Sequence, residues 1–138
     1  MLAAAPRRDH GQPYFKIRSH LLEPMTRRAL IGGNWKCNGT VAQVKALTES
    51  LNGAGALPET SEVVIAVPAI HLAHCRSTFR PEISVASQDV GFNKAYGAYT
   101  GEMSAEMLVD SGIKWTLTGH SERRVGFGFP VGIALVLQ

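Results

Sequence analysis

Lys36 follows Asn34 by two residues behind a Gly32-Gly33 pair, and His120, Ser121 and Glu122 stand in a row behind Gly119. A lysine supplies fixed positive charge that stabilises a developing oxyanion without a proton having to move. A histidine can give and take a proton near neutral pH. Each alone has a plainer reading: Lys36 as a solvated surface lysine, His120 as a hydrogen-bonded loop histidine. Their chemistry depends on whether the fold brings 34–36 and 120–122 to one place. His71, His74 and Cys75 have the i, i+3, i+4 spacing of a metal site on a helix. No fourth ligand word accompanies them, so packing along a helix face is the better account. Gly32-Gly33 lacks the third glycine of a dinucleotide-binding turn and suits tight strand packing and close approach of a ligand.

The elements that must position these residues follow from hydrophobic spacing. Ala29-Leu30-Ile31 reads as a short strand running into Gly32–Lys36. Thr40 and Gln43 form a capping box, and Val41, Val44, Leu47 and Leu51 recur at helical spacing until Gly53, Gly55 and Pro58 end the run. Val63 to Val67 is apolar on both faces, as in a strand covered on both sides. A short helix through Leu72 and Cys75 to Phe79 and a third strand at 83–88 come next. A long loop occupies 89–101, Ser104 caps a helix through Met107 and Leu108, and Lys114 to Thr118 reads as a fourth strand. Such alternation implies an α/β fold with a parallel sheet and right-handed crossovers. In parallel sheets, active residues gather where strands end and loops begin. Strands one and four are not sequence neighbours, so convergence of their ends would define a shared pocket.

At 138 residues the chain has room for one ordinary domain. It is 45% hydrophobic and 18% charged, which excludes a wholly disordered chain. No apolar run reaches the roughly 18 residues that suggest a membrane span. Of the net +3, residues 1–24 carry +2 and the other 114 residues only +1, so the basic pI of about 9.1 is no argument for a nucleic-acid surface. Cys37 and Cys75 make no disulfide framework and fit a reduced, cytoplasmic setting. Residues 1–26 lack periodicity and an apolar secretory core. They read as a disordered extension, with organelle targeting weakly supported and Met25 a natural alternative start.

Three words go further. Gly32-Gly33-Asn34-Trp35-Lys36-Cys37-Asn38-Gly39, Gly97-Ala98-Tyr99-Thr100-Gly101-Glu102 and Gly119-His120-Ser121-Glu122-Arg123-Arg124 resemble the triosephosphate isomerase family, in its order and spacing. The resemblance covers about residues 27–124 and implies a TIM (β/α)8 barrel, truncated to about its first four β/α units. A whole barrel of this kind takes roughly 250 residues. The implied reaction interconverts dihydroxyacetone phosphate and glyceraldehyde 3-phosphate through an enediolate, with no cofactor and no metal. By the same resemblance, Lys36 is catalytic and substrate-binding, giving positive charge near phosphate and oxyanion. Asn34 donates a hydrogen bond there, and His120 acts as a neutral imidazole shuttling a proton between the two substrate oxygens. Ser121 orients the turn and Glu122 supports Lys36. Thr100, Glu102 and Arg123 belong to a homodimer interface, with Arg123 and Glu102 pairing across it.

The chain departs from the family pattern after Arg124. Residues 125–138 are an uncharged, apolar tail, within which Ile133 to Leu137 has β character. The family's general base, a glutamate on a later lid loop, has no counterpart here, nor do the later phosphate-binding loops. The expectation is therefore an isomerase by family whose short chain is inactive alone. The rival expectation is a non-catalytic short form that binds full-length subunits. Triose phosphate is the implied ligand; nucleic acid and membrane are not implied partners.

Overall fold

The computed structural model describes residues 27–93 and 96–127. The expected extension at 1–26 and the strand at 133–137 lie outside the described residues. Four strands, β1 (Ala29–Asn34), β2 (Ser61–Val67), β3 (Ile83–Ser87) and β4 (Trp115–Thr116), form one parallel sheet in the order β1-β2-β3-β4. Helix α1 (Val41–Asn52) connects the first two strands. A 3₁₀ turn (Ala69–His71) and α2 (Leu72–Thr78) connect the next two, α3 (Ala105–Asp110) precedes β4, and α4 (Ser121–Phe127) follows it. This is the α/β architecture of the first four units of a TIM barrel.

In a strand, alternate side chains point to opposite faces, and partners across a parallel ladder share a face. Val63, Ile65 and Val67 of β2 and Ile83 and Val85 of β3 therefore point one way. They meet Val44, Leu72, Cys75, Phe79, Leu108 and Ile113 in the main core. Val64, Ala66 and Ala86 point the other way, with Trp115 and Leu117 packed against them. β2 is thus apolar on both faces because both faces are covered. β1 has β2 as its ladder partner, and Leu30 and Ile31 stay about half exposed.

Local departures from the spacing rules have physical reasons. The Thr40–Gln43 capping box starts α1 as its residues require. The buried stripe of that helix, however, runs through Val44 and Thr48 with Leu51 partly covered, while Val41 is 75% exposed and Leu47 42%. Thr48 tolerates burial because its hydroxyl donates to the Val44 carbonyl 2.8 Å away. β2 begins two residues earlier than its apolar run. β4 is shorter than 114–118: beyond Thr116 the Leu117 N–H still reaches the Ser87 carbonyl at 2.9 Å, but the chain then turns through Gly119 at φ +60°. Helix α4 takes in 125–127, residues that composition alone assigns to the apolar tail.

Candidate active site

The loop between β1 and α1 is built around Lys36. Trp35 leaves the strand with its N–H on the Ala66 carbonyl at 2.9 Å, and its ring meets Phe79 edge-on at a centroid distance of 6.2 Å. That aromatic pair anchors the loop to the main core. The next residue turns sharply: Lys36 has φ +53°, a left-handed conformation that side chains rarely adopt. Its N–H donates to Asn34 Oδ1 at 2.8 Å, which stabilises the turn. Asn38 closes the loop by donating to the Trp35 carbonyl at 2.9 Å. Gly39, at φ +116°, lets the chain enter α1, and its carbonyl lies 2.9 Å from Nε2 of the buried His71.

The second half of the site follows β4. Ser87 and Thr116 tie β3 to β4 through a buried hydroxyl pair at 2.7 Å. After Gly119, the His120 carbonyl accepts the N–H groups of Arg123 and Arg124, and its Nδ1 accepts the Glu122 N–H at 3.2 Å. With Nδ1 an acceptor, the neutral ring carries its hydrogen on Nε2, leaving that atom as the donor. Ser121 opens the helix at the surface.

The two halves meet. Lys36 Nζ lies 2.6 Å from Glu122 Oε1, across 86 residues of sequence, so the ends of β1 and β4 converge as a shared site requires. The Lys36 hydrogen bond is the main reason the Glu122 carboxyl sits below the usual carboxylate range, with charge attraction from Lys36 adding to it. Glu122 Oε2 is 3.7 Å from His120 Nδ1, too far for a hydrogen bond. The structure thus gathers Asn34, Lys36, His120 and Glu122.

Thr100 and Glu102 lie on a separate loop, shaped by Gly101 at φ +93° and by the Glu102 N–H on the Tyr99 carbonyl at 2.9 Å. Within the chain, Arg123 holds Asp89 at 2.5 Å, at the start of that loop. Phe92, Tyr96 and Tyr99 expose most of their surface there. Among the described residues no group of three His, Cys, Asp or Glu side chains is placed to hold a metal ion. His71 is instead engaged by Gly39. Cys75 is buried beside Thr48, and burial pushes its thiol up.

Sequence reading missed one residue of consequence, Gln88. Its amide nitrogen lies 2.8 Å from the Lys36 carbonyl, 3.2 Å from Asn34 Oδ1 and 3.3 Å from the Ala66 carbonyl. The rule that singled out the ends of strands one and four would have singled out this end of strand three.

The parallel α/β sheet thus brings a lysine and a carboxamide at the end of its first strand together with the turn that carries an imidazole after its fourth. Comparison with known proteins makes this specific. The triosephosphate isomerase family model matches residues 29–129, and the chain belongs to the triosephosphate isomerase family. It is 48% identical over 105 residues to triosephosphate isomerase of Neurospora crassa, covering 75% of this chain and 42% of that protein. To the cytosolic triosephosphate isomerase of Oryza sativa subsp. japonica it is 50% identical over 101 residues, covering 72% and 40%. To that of Candida albicans it is 45% identical over 101 residues, again covering 72% and 40%. The chain thus spans about two fifths of the length of these curated relatives.

Proposed function

We propose that Asn34, Lys36 and His120 are the electrophilic half of a triose phosphate isomerase site. The observation that carries this reading is the convergence of Lys36 and the His120–Glu122 turn from opposite ends of the segment. Isomerisation removes a proton from carbon beside a carbonyl and leaves negative charge on oxygen. Lys36 balances that charge, Asn34 donates to the same oxygen region, and His120 Nε2–H donates to the carbonyl oxygen and moves a proton between the two oxygens. Glu122 supports Lys36 and is a poor base, because the ammonium holds its carboxyl low and ionised. Among the described residues, no other carboxylate is shown in contact with Lys36 or His120.

The 138 residues by themselves are accordingly expected to turn over triose phosphates slowly, since a positioned base is worth about 10²–10⁴ in rate. The test is turnover of dihydroxyacetone phosphate by the purified chain from a host lacking its own isomerase, together with binding of 2-phosphoglycolate. The reading expects weak or absent turnover and binding that falls on Lys36→Met. Ordinary isomerase turnover would overturn the slow-chain proposal, and binding indifferent to both Lys36→Met and His120→Gln would overturn the site. The exposed aromatic loop favours a second reading, in which the chain docks on another isomerase subunit through Thr100, Glu102 and Arg123. Copurification of a full-length isomerase, lost on Glu102→Ala, is the expected sign. A cytoplasmic setting accords with the cytosolic relative, and no described helix is long and apolar enough to cross a membrane.

A further inference from the structure

We infer that Gln88, at the end of β3, is a positioning residue that decides which face of the Asn34 carboxamide meets the ligand. The inference rests on the site reading above but on different atoms. Around the Gln88 amide nitrogen stand three oxygens: the Lys36 carbonyl at 2.8 Å, Asn34 Oδ1 at 3.2 Å and the Ala66 carbonyl at 3.3 Å. Turning the amide over would set its own oxygen against all three, so its orientation is fixed by its surroundings. Asn34 Oδ1 in turn accepts from Gln88 and from the Lys36 N–H at 2.8 Å. Flipping Asn34 would place its NH2 group against two donors. The Asn34 carboxamide is therefore held with its oxygen toward the loop and its two N–H groups turned away from these donors.

The consequence is chemical. An oxyanion or phosphate oxygen needs donors, and a carboxamide free to rotate would offer oxygen about as readily as nitrogen. Gln88 selects the donor face before any ligand arrives, and by holding the Lys36 carbonyl it also supports the left-handed turn at Lys36. It does so from a third strand, tying the ends of β1, β2 and β3 together at one amide group. Ala66 O is shared in this arrangement, since it also accepts the Trp35 N–H at 2.9 Å.

Hydrogen exchange and side-chain amide spectra of the full 138-residue chain test this, using Gln88→Met, which keeps the shape, and Gln88→Glu, which keeps the shape and reverses the polarity. In both variants the Lys36 N–H should exchange roughly three- to tenfold faster, the effect of losing a hydrogen bond that supports it. The Asn34 NH2 resonances should leave their wild-type positions, while the Val64 and Ile65 N–H groups keep their rates. Affinity for 2-phosphoglycolate should fall about tenfold, as when one charge-assisted contact is lost. An unchanged Lys36 rate with unchanged Asn34 resonances overturns the inference. So does acceleration of every amide together, which would make Gln88 a packing residue. A wild-type chain that does not bind 2-phosphoglycolate defeats the site reading, while the exchange data still judge Gln88. Tight wild-type binding that both variants retain, with an unaltered Lys36 rate, defeats Gln88 and leaves the site reading standing.

Discussion

On the helix-covered face of the sheet, Val67, Cys75 and Ile113 lose nearly all contact with water, whereas at the strand-end rim Lys36 and Glu122 keep more than half of their side-chain surface exposed. The covered face is held by apolar area, which is large in sum and indifferent to salt and pH. The rim is held by directed contacts: the Lys36–Glu122 ion pair, the Asn34 and Gln88 amides, and left-handed turns at Lys36, Gly39 and Gly119. Stability and chemistry are therefore written in different residues. Damage to the first should unfold the chain, and damage to the second should leave it folded with a poorer site.

Ile113→Ala should be the most damaging. Ile113 is 1% exposed, links the end of α3 to the main core, and leaves a cavity when truncated. The expected loss is about 2–5 kcal/mol, read as a lower urea midpoint with little change in slope. A loss within the error of the midpoint would mean that the apolar cluster does not carry the fold. Gly39→Ala comes next and probes where the two regions touch. An added Cβ would sit 2.9 Å from Val44 Cγ2, and the backbone φ of +116° is strained for any side chain. About 1–3 kcal/mol should be lost, because a rim residue here presses directly on a core residue.

How much of this was legible in sequence divides along the same line. The strands and helices could be read because apolar spacing reports burial, and the Thr40–Gln43 box because its chemistry is local. Lys36 and His120 could be placed at strand ends, but their meeting could not be derived from spacing, since it depends on how four strands are ordered. Resemblance supplied that step. The spacing of Val41, Val44, Leu47 and Leu51 marks α1 as a helix but not which side is buried, because a threonine, Thr48, takes a core place that hydrophobicity alone does not assign to it. Spacing makes Gln88 the last residue of a strand and no more. Its role lies in three acceptors contributed by residues distant in sequence, and no local pattern marks that.

Thr40→Ala should cost less than either change above. It removes the hydroxyl that accepts the Gln43 N–H at 3.3 Å, and the return bond from the Thr40 N–H to Gln43 Oε1 at 2.9 Å loses its partner contact. About 1 kcal/mol is expected, because the first turn of α1 frays at the mouth of the Lys36 loop. Thr40→Ser should recover most of it. Equal losses for the alanine and serine variants would show that packing of the threonine methyl, not capping, is what counts there.

Glu122→Gln should have the smallest effect on stability and the clearest pH signature. The Glu122 carboxyl is held low in the folded chain, first by the Lys36 hydrogen bond, so its folded pKa lies below its unfolded value. A group shifted that way adds stability above the unfolded value, near 4.3 for an ordinary glutamate. The contribution then disappears as pH falls through the lower folded value. Between neutral pH and about pH 5 it should be constant in the wild type, and on further acidification it should fade. Glu122→Gln should lower the neutral plateau only slightly, because both partners are exposed and water already solvates them well, and the two chains should converge on acidification. Urea midpoints for both chains between pH 7 and pH 3, at low and high salt, would show it. The difference between their slopes should shrink with added salt, as it must for a pair at the surface. A salt-independent difference would instead place the Lys36–Glu122 contact with the packed face and not with the rim, and the separation of stability from chemistry would fail at the pair that joins the two halves of the site.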